Sequence, residues 1–292
     1  GGTGKTSIAS SLMHLMSQRV SGVFVDADVD SANLALISGA NPQEEFEFSS
    51  SKQAVIDPLT CTACGNCFEV CRFNAIKIPV GEESAYQVID ILCDGCAACV
   101  HRCPEAAIHM EIQQDGEWYH AISAYGHLFH AELFPAAENS GKLVAELRKH
   151  AGKYAENQHS SLILIDGPPG IGCPVISAST GVDLALLVAE PGVSGQHDLE
   201  KIIQTLEHFK IPIVICINKS DLYPTGAEAI RRLAGSKGYM IVGEIPFDPT
   251  IPKAMVQAMP ITSFEPENPA SLAIKNLNEV LMDALFPGDG TL

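Results

Sequence analysis

The sequence predicts an α/β protein. Its mostly parallel sheet carries helices on both faces and is interrupted by a small inserted α+β module. Three observations carry this reading. Short, wholly apolar segments such as Leu162–Ile165 and Ile213–Ile217 read as strands buried on both faces, the mark of a parallel sheet. Amphipathic stretches of helical period lie between them. Eight of the 10 cysteines crowd into two tight runs, where the alternation of strand and helix stops.

Taken in order, residues 6–17 read as a helix, with Ile8, Leu12, Leu15 and Met16 at helical spacing. Val23 to Val25 form a short strand that ends in Asp26-Ala27-Asp28-Val29-Asp30. The polar stretch from Gln43 to Lys52 marks a boundary. Residues 54–112 form the cysteine module, so the expected domains are 1–53, 54–112 and 113–292, the first and last being one domain in two parts. Trp118 to Ala124 is a candidate strand and 140–155 a helix. Strands are expected at 162–165, 184–189, 213–217 and 241–245, and helices at 196–209, 225–236 and 270–285.

Composition narrows the function. The 292 residues are 46% hydrophobic and 18% charged, enough apolar content for a full core. The net charge of −17 argues against non-specific binding to nucleic acid or to an anionic membrane, which both need a surplus of Lys and Arg. No apolar run is long enough to span a bilayer, and a cytoplasmic protein is expected.

The chain opens inside a phosphate-binding motif, Gly1-Gly2-Thr3-Gly4-Lys5-Thr6-Ser7. Such a loop should follow a buried strand, and that N-terminal strand is missing from the sequence. Glycines let backbone N–H groups turn onto phosphate oxygens, Lys5 adds charge at the β/γ-phosphates, and Thr6 offers Mg²⁺ a hydroxyl at a helix N-terminus. Asp28 and Asp166 each follow an apolar strand, where open α/β sheets place their ligands. Asp166, in Asp166-Gly167-Pro168-Pro169-Gly170, suits a Mg²⁺-holding acid; Asp28 suits a group that orients the attacking water. Asp26 and Asp30 read equally well as loop caps. Asn218 follows another strand, where its amide could read an adenine edge or merely close an Asx turn.

These motifs resemble the deviant Walker A ATPases, the superfamily of MinD, ParA, the nitrogenase iron protein and the Mrp-type iron–sulfur carriers. The resemblance covers residues 1–40 and 115–290. It implies ATP and Mg²⁺ as ligands and a nucleotide-dependent homodimer. It also implies a signature lysine just before the first glycine, ahead of residue 1. Cys173 lies seven residues past Asp166, an offset at which the nitrogenase iron protein has a cluster-holding cysteine; the other ligand position of that protein corresponds to Asn139. With one such cysteine per subunit, a small thiol near the nucleotide is the simpler reading. Cys216, inside a strand, reads as core; His101, His197 and Lys142 read as solvated side chains.

The cysteines give the most specific signal. Cys61-x-x-Cys64-x-x-Cys67-x-x-x-Cys71 is followed by Cys93-x-x-Cys96-x-x-Cys99-x-x-x-Cys103-Pro104, the bacterial ferredoxin spacing for two [4Fe–4S] clusters. In that pattern the fourth ligand comes from the other run. The expected sets are Cys61, Cys64, Cys67 and Cys103, and Cys93, Cys96, Cys99 and Cys71. Zinc is disfavoured, because its sites use paired Cys-x-x-Cys elements and often His. ATPase and insertion together resemble MinD-superfamily ATPases with an inserted ferredoxin domain, as do Gly170-Ile171-Gly172-Cys173-Pro174 and Glu138-Asn139-Ser140-Gly141-Lys142-Leu143. An amide-forming synthase is not expected, since no glutaminase module is present.

The leading expectation is an ATPase that couples ATP binding and hydrolysis to electron transfer through two [4Fe–4S] clusters, with an unknown redox or cluster-acceptor partner. The alternatives are a Mrp-type cluster carrier or assembly ATPase and a nucleotide-switched regulatory protein. A MinD-like membrane helix is disfavoured, because Ser271 to Leu285 carries Lys275 as its only base.

Overall fold

The computed structural model describes residues 2–81, 84–135, 137 and 139–287. In chain order the elements are α1 (Lys5–Met16), β1 (Gly22–Asp26), α2 (Leu34–Ile37), β2 (Asn41–Phe48), β3 (Ser51–Ile56), α3 (Asn66–Val70), β4 (Ile76–Lys77), β5 (Gln87–Val88), α4 (Ala98–Arg102), β6 (Ile108–Gln113), β7 (Gly116–Ser123) and β8 (Gly126–Leu133). They continue with α5 (Ser140–Gln158), β9 (Leu162–Asp166), α6 (Cys173–Ser179), β10 (Ala185–Ala189), α7 (Val193–His208), β11 (Ile213–Asn218), α8 (Pro224–Lys237), β12 (Met240–Ile245), α9 (Thr250–Val256), α10 (Ile261–Phe264) and α11 (Pro269–Leu285).

The chain divides into two compact units. The first comprises 1–46, 118–132 and 140–292, and the second 47–117 and 133–139. The second unit therefore starts earlier and ends later than the expected 54–112. The reason is a ladder that the cysteine spacing does not reveal: β3 pairs antiparallel with β6 from Ser51↔Gln113 to Ile56↔Ile108. The stretch 43–52, expected as a boundary, lies largely in β2 and the start of β3. In β2 every residue but the last is exposed, so hydrophobic patterning had nothing to detect.

In the first unit, one sheet runs β2-β7-β8-β1-β9 and a second runs β10-β11-β12. β1 is parallel to both β8 and β9, and β11 is parallel to both β10 and β12. The expected mostly parallel α/β fold is present. Apolar strands such as β11 explain why. Ile215 and Ile217 pack with α7 and α8 residues such as Ile203 and Ile230, while Cys216 faces Leu277 and Leu281 of α11. Both faces of the strand are thus buried, which a parallel sheet demands.

β9 ends one sheet and β10 begins the other. Leu162, Leu164, Leu186 and Val188 of these two strands nonetheless share a core with Ile8, Leu12 and Met16 of α1. The parallel order breaks between β9 and β10.

The second unit shows its internal duplication in the backbone. Left-handed residues recur 32 positions apart, as Ala63 and Gly95, Gly65 and Ala97, and Asn74 and Ala106. Helices α3 and α4 follow the same offset and pack on each other. One mate pair differs sharply in its surroundings: a Cβ on Gly95 would stand 2.2 Å from the Lys52 carbonyl oxygen, and Gly95 itself lies at φ 71°. Gly95→Ala should therefore destabilise this unit by about 1–3 kcal/mol in urea unfolding. Ala63→Gly, at the mate position, should cost less than about 1 kcal/mol.

Candidate functional site

The first site sits at the C-terminal ends of β1, β9 and β11. Gly2 and Gly4 adopt φ 90° and 88°, and Gly4 is the N-cap of α1. No side chain caps that helix end and no acid lies in its first turn, so its free N–H groups and dipole are left for an anion. The loop is braced from β11. Asn218 Nδ2 donates to the Thr3 carbonyl at 2.8 Å. Lys219 Nζ donates to the Gly2 carbonyl and to Glu190 Oε2, both at 2.8 Å.

Parallel register sets Asp26 beside Asp166. Asp26 is fully buried, and its carboxylate accepts N–H bonds from Leu34 (2.8 Å) and Asp28 (3.2 Å). The sequence left Asp26 as a possible loop cap. Its place at the end of a buried strand, level with Asp166, was the signal for a larger role. Burial raises the carboxyl of Asp166, with the Asp26 charge adding to it, while Thr6 and Lys5 act the other way. Burial likewise raises Asp26. Asp28 is raised by burial, partly offset by Lys5.

Asp166 Oδ2, Thr3 Oγ1 and Asn218 Oδ1 are all buried without a hydrogen-bond partner. Leaving such atoms unpaired costs about 1–3 kcal/mol each, so they fit a site that binds a polar ligand. The structure thus brings together Gly2, Thr3, Gly4, Lys5, Thr6, Asp28, Asp166 and Asn218. Ser7 joins the loop by its backbone only, since its hydroxyl donates to Met255 Sδ at 3.2 Å. Gly1 and Glu138 lie outside the described residues.

A carboxyl raised in the folded state stabilises the fold below the ordinary carboxylate value of about 4 and loses that contribution as pH rises through its own higher pKa. Asp166→Asn should therefore match the parent at acid pH and exceed it by about 1–3 kcal/mol near pH 8 without nucleotide. Urea unfolding across pH checks this; a pH-independent difference would contradict it.

The second unit holds two cavities. One is lined by Cys61, Cys64, Cys67 and Cys103, with Ile56, Tyr86, Glu105 and Ile108. The other is lined by Cys71, Cys93, Cys96 and Cys99, with Ala54, Phe73, Ala75 and Ile76. The eight thiols therefore fall into two groups of four, each taking three from one run and one from the other. Backbone N–H groups of Ala75 and Ala107 donate to Cys71 Sγ and Cys103 Sγ at 3.3 Å. Burial raises the Cys67 and Cys99 thiols.

Among the described residues no three His, Cys, Asp or Glu side chains could hold one metal ion. A cubane differs in binding each thiolate to a separate iron. Four thiols, apolar walls and N–H groups aimed at sulfur suit that chemistry. Cys216 is fully buried with its thiol raised to about 12, a core residue. Cys173 is exposed, and Gly141 lies so close that a Cβ there would stand 2.9 Å from Cys173 Cβ.

A glycine loop on a helix N-terminus, with strand-end carboxylates beside it, defines a phosphate-loop nucleotide-binding protein. Residues 1–261 match the CobQ/CobB/MinD/ParA nucleotide binding domain, and the chain belongs to that family. It is 33% identical to an uncharacterized protein of Methanocaldococcus jannaschii over 97% of this chain and 94% of that one. It is 26% identical to an iron–sulfur cluster carrier protein of Aquifex aeolicus, over 41% of this chain and 36% of the relative. The cell division ATPase MinD of Pyrococcus furiosus shares the fold, with a TM-score of 0.57 and 20% identity over 97% of this chain and 95% of that structure. No helix among the described residues is long and apolar enough to cross a membrane.

Proposed function

We propose that this chain is a nucleotide-dependent iron–sulfur protein of the carrier or assembly kind, loaded with two [4Fe–4S] clusters in its second unit. The observation that carries the reading is the crossed grouping of eight thiols into two four-cysteine cavities. The similarity to a cluster carrier supports cargo over purely redox use, so this reading now stands ahead of ATP-gated electron transfer. Electron transfer remains the second reading, favoured by two complete ligand sets in one small unit.

In the first unit, Lys5 and the Gly2–Gly4 backbone would hold the triphosphate of ATP, and Thr6 with Asp166 would hold Mg²⁺, which would supply charge neutralisation to the phosphates. Asp28 orients water for in-line attack. Asp26 keeps the loop after β1 in place through the Leu34 and Asp28 N–H groups. Asn218 Oδ1 is the acceptor available to the adenine amino group. The reading includes a homodimer that forms on nucleotide binding.

The test uses anaerobically reconstituted protein mixed with an apo enzyme that needs a [4Fe–4S] cluster. Activation of that acceptor at a rate changed by MgATP is the expected result. Clusters that are reversibly reduced, shift in potential with MgATP and never pass to the acceptor would move the assignment to electron transfer. Failure to bind iron would remove both readings.

A further inference from the structure

The duplication in the second unit makes its two cavities comparable position by position, and they differ. The 32-residue offset that relates the two loops pairs Phe73 with Glu105. Phe73 lines the cavity of Cys71, Cys93, Cys96 and Cys99, whereas Glu105 lines that of Cys61, Cys64, Cys67 and Cys103. The exchange is confined to that position, for Tyr86 also lines the first cavity and Asp94 the second, and the lasting difference lies in how the loops are anchored.

The loops also differ in how they are held. Gly95 of the second loop is pressed onto the β3 backbone, where a Cβ would meet the Lys52 carbonyl oxygen at 2.2 Å. The turn just before that loop is tied to the same strand by Gln53 Nε2, which donates to Asp90 Oδ1 at 2.6 Å. In the first loop the mate of Gly95 is Ala63, which is exposed. The preceding turn is held by Asp57, whose carboxylate accepts from Leu59 N–H (3.0 Å) and Thr60 Oγ1 (2.5 Å) and whose N–H donates to the Ala107 carbonyl (2.8 Å), with no bond among the described residues from the turn to the β3 side chains. The first loop's neighbour at Gly65 is a side chain, the Tyr86 hydroxyl, which a Cβ would meet at 3.2 Å.

We infer that the two cluster sites are unequal by construction. The set Cys61, Cys64, Cys67 and Cys103 holds the exchangeable cluster, the one given to an acceptor. The set Cys71, Cys93, Cys96 and Cys99 holds a retained one. The inference rests on the reading of the second unit as a two-cluster module and names which half of it does the carrying. Anchoring a loop to a strand backbone slows the opening that release requires.

The test begins with the unaltered, fully loaded chain under anaerobic conditions. A ferrous-iron chelator is added with dithionite, and freed thiols are alkylated at intervals and located by mass spectrometry. Two phases separated by at least about tenfold in rate are expected, with Cys61, Cys64, Cys67 and Cys103 alkylated in the first. Release in one phase, or earlier alkylation of Cys93, Cys96 and Cys99, overturns the inference. A loop variant gives a second measurement. Gln53→Ala, which unties the turn before the second loop, should hasten the slow phase severalfold and leave the fast one unchanged. An unchanged slow phase overturns the role given to that anchor. A chain that loads with fewer than two clusters before chelation tells against the two-cluster reading itself, a result separate from order of release.

Discussion

Cys103→Ser is expected to cost the reconstituted chain about half its iron, and the half lost should be the cluster on Cys61, Cys64 and Cys67. The reason is spatial. Cys103 belongs to the second run, yet it lines the cavity of the first. It leaves α4 in an extended conformation, at φ −77° and ψ 114°, which carries it across to that cavity. There its sulfur accepts the Ala107 N–H at 3.3 Å. Cys71→Ser should do the reverse, emptying the site of Cys93, Cys96 and Cys99 and sparing the other. Iron and sulfide analysis with EPR of the reduced protein reads both variants. If each run instead wrapped its own cluster, Cys103→Ser would spare the first-run thiols, and alkylation after reconstitution would find them protected.

The second large effect lies in the phosphate loop. Gly4→Ala should weaken MgATP binding by at least about 100-fold, some 3 kcal/mol, while leaving the fold intact. Two costs coincide there. Gly4 is held at φ 88°, and a Cβ would stand 2.3 Å from Asn218 Nδ2, the atom that braces Thr3. A left-handed alanine alone costs about 1–3 kcal/mol. Displacing Asn218 adds the loss of its bond to the loop. Gly2 is the control: it has φ 90° but nothing within 4 Å of a Cβ, so Gly2→Ala should meet the conformational cost alone. Adding Asn218→Ala to Gly4→Ala should recover part of the lost affinity, because it removes the collision. Calorimetric titration with MgATP compares all four proteins, and equal losses in Gly2→Ala and Gly4→Ala would refute the argument.

Much of this architecture was legible from residue type and spacing. The helices α1, α5, α7, α8 and α11 and the strands β1, β9, β10, β11 and β12 fall where apolar periodicity put them. Long amphipathic helices and doubly buried strands write their environment into every residue. Strands β2 and β8 were not legible, nor was the short helix α6. β2 lies at the edge of its sheet and is almost wholly exposed. β8 mixes His127, His130 and Glu132 with apolar residues, so neither period stands out. His120 and His127 meet at 3.0 Å between β7 and β8, a contact that no spacing in the sequence announces.

By itself, then, the sequence determined the fold class, the phosphate loop and the identity of the eight cysteines. Each of these is written in local chemistry: glycines that permit left-handed backbone, a lysine at a helix start, thiols at fixed short intervals. Only the tertiary structure decided what depends on residues far apart in the chain. It set Asp26 beside Asp166, because two strands separated by well over a hundred residues pair in parallel register. It braced the loop from Asn218 and Lys219. It also made the two halves of a repeated motif unequal, since β3 runs longer than its repeat mate β5, and its added residue Lys52 presses on only one of the loops.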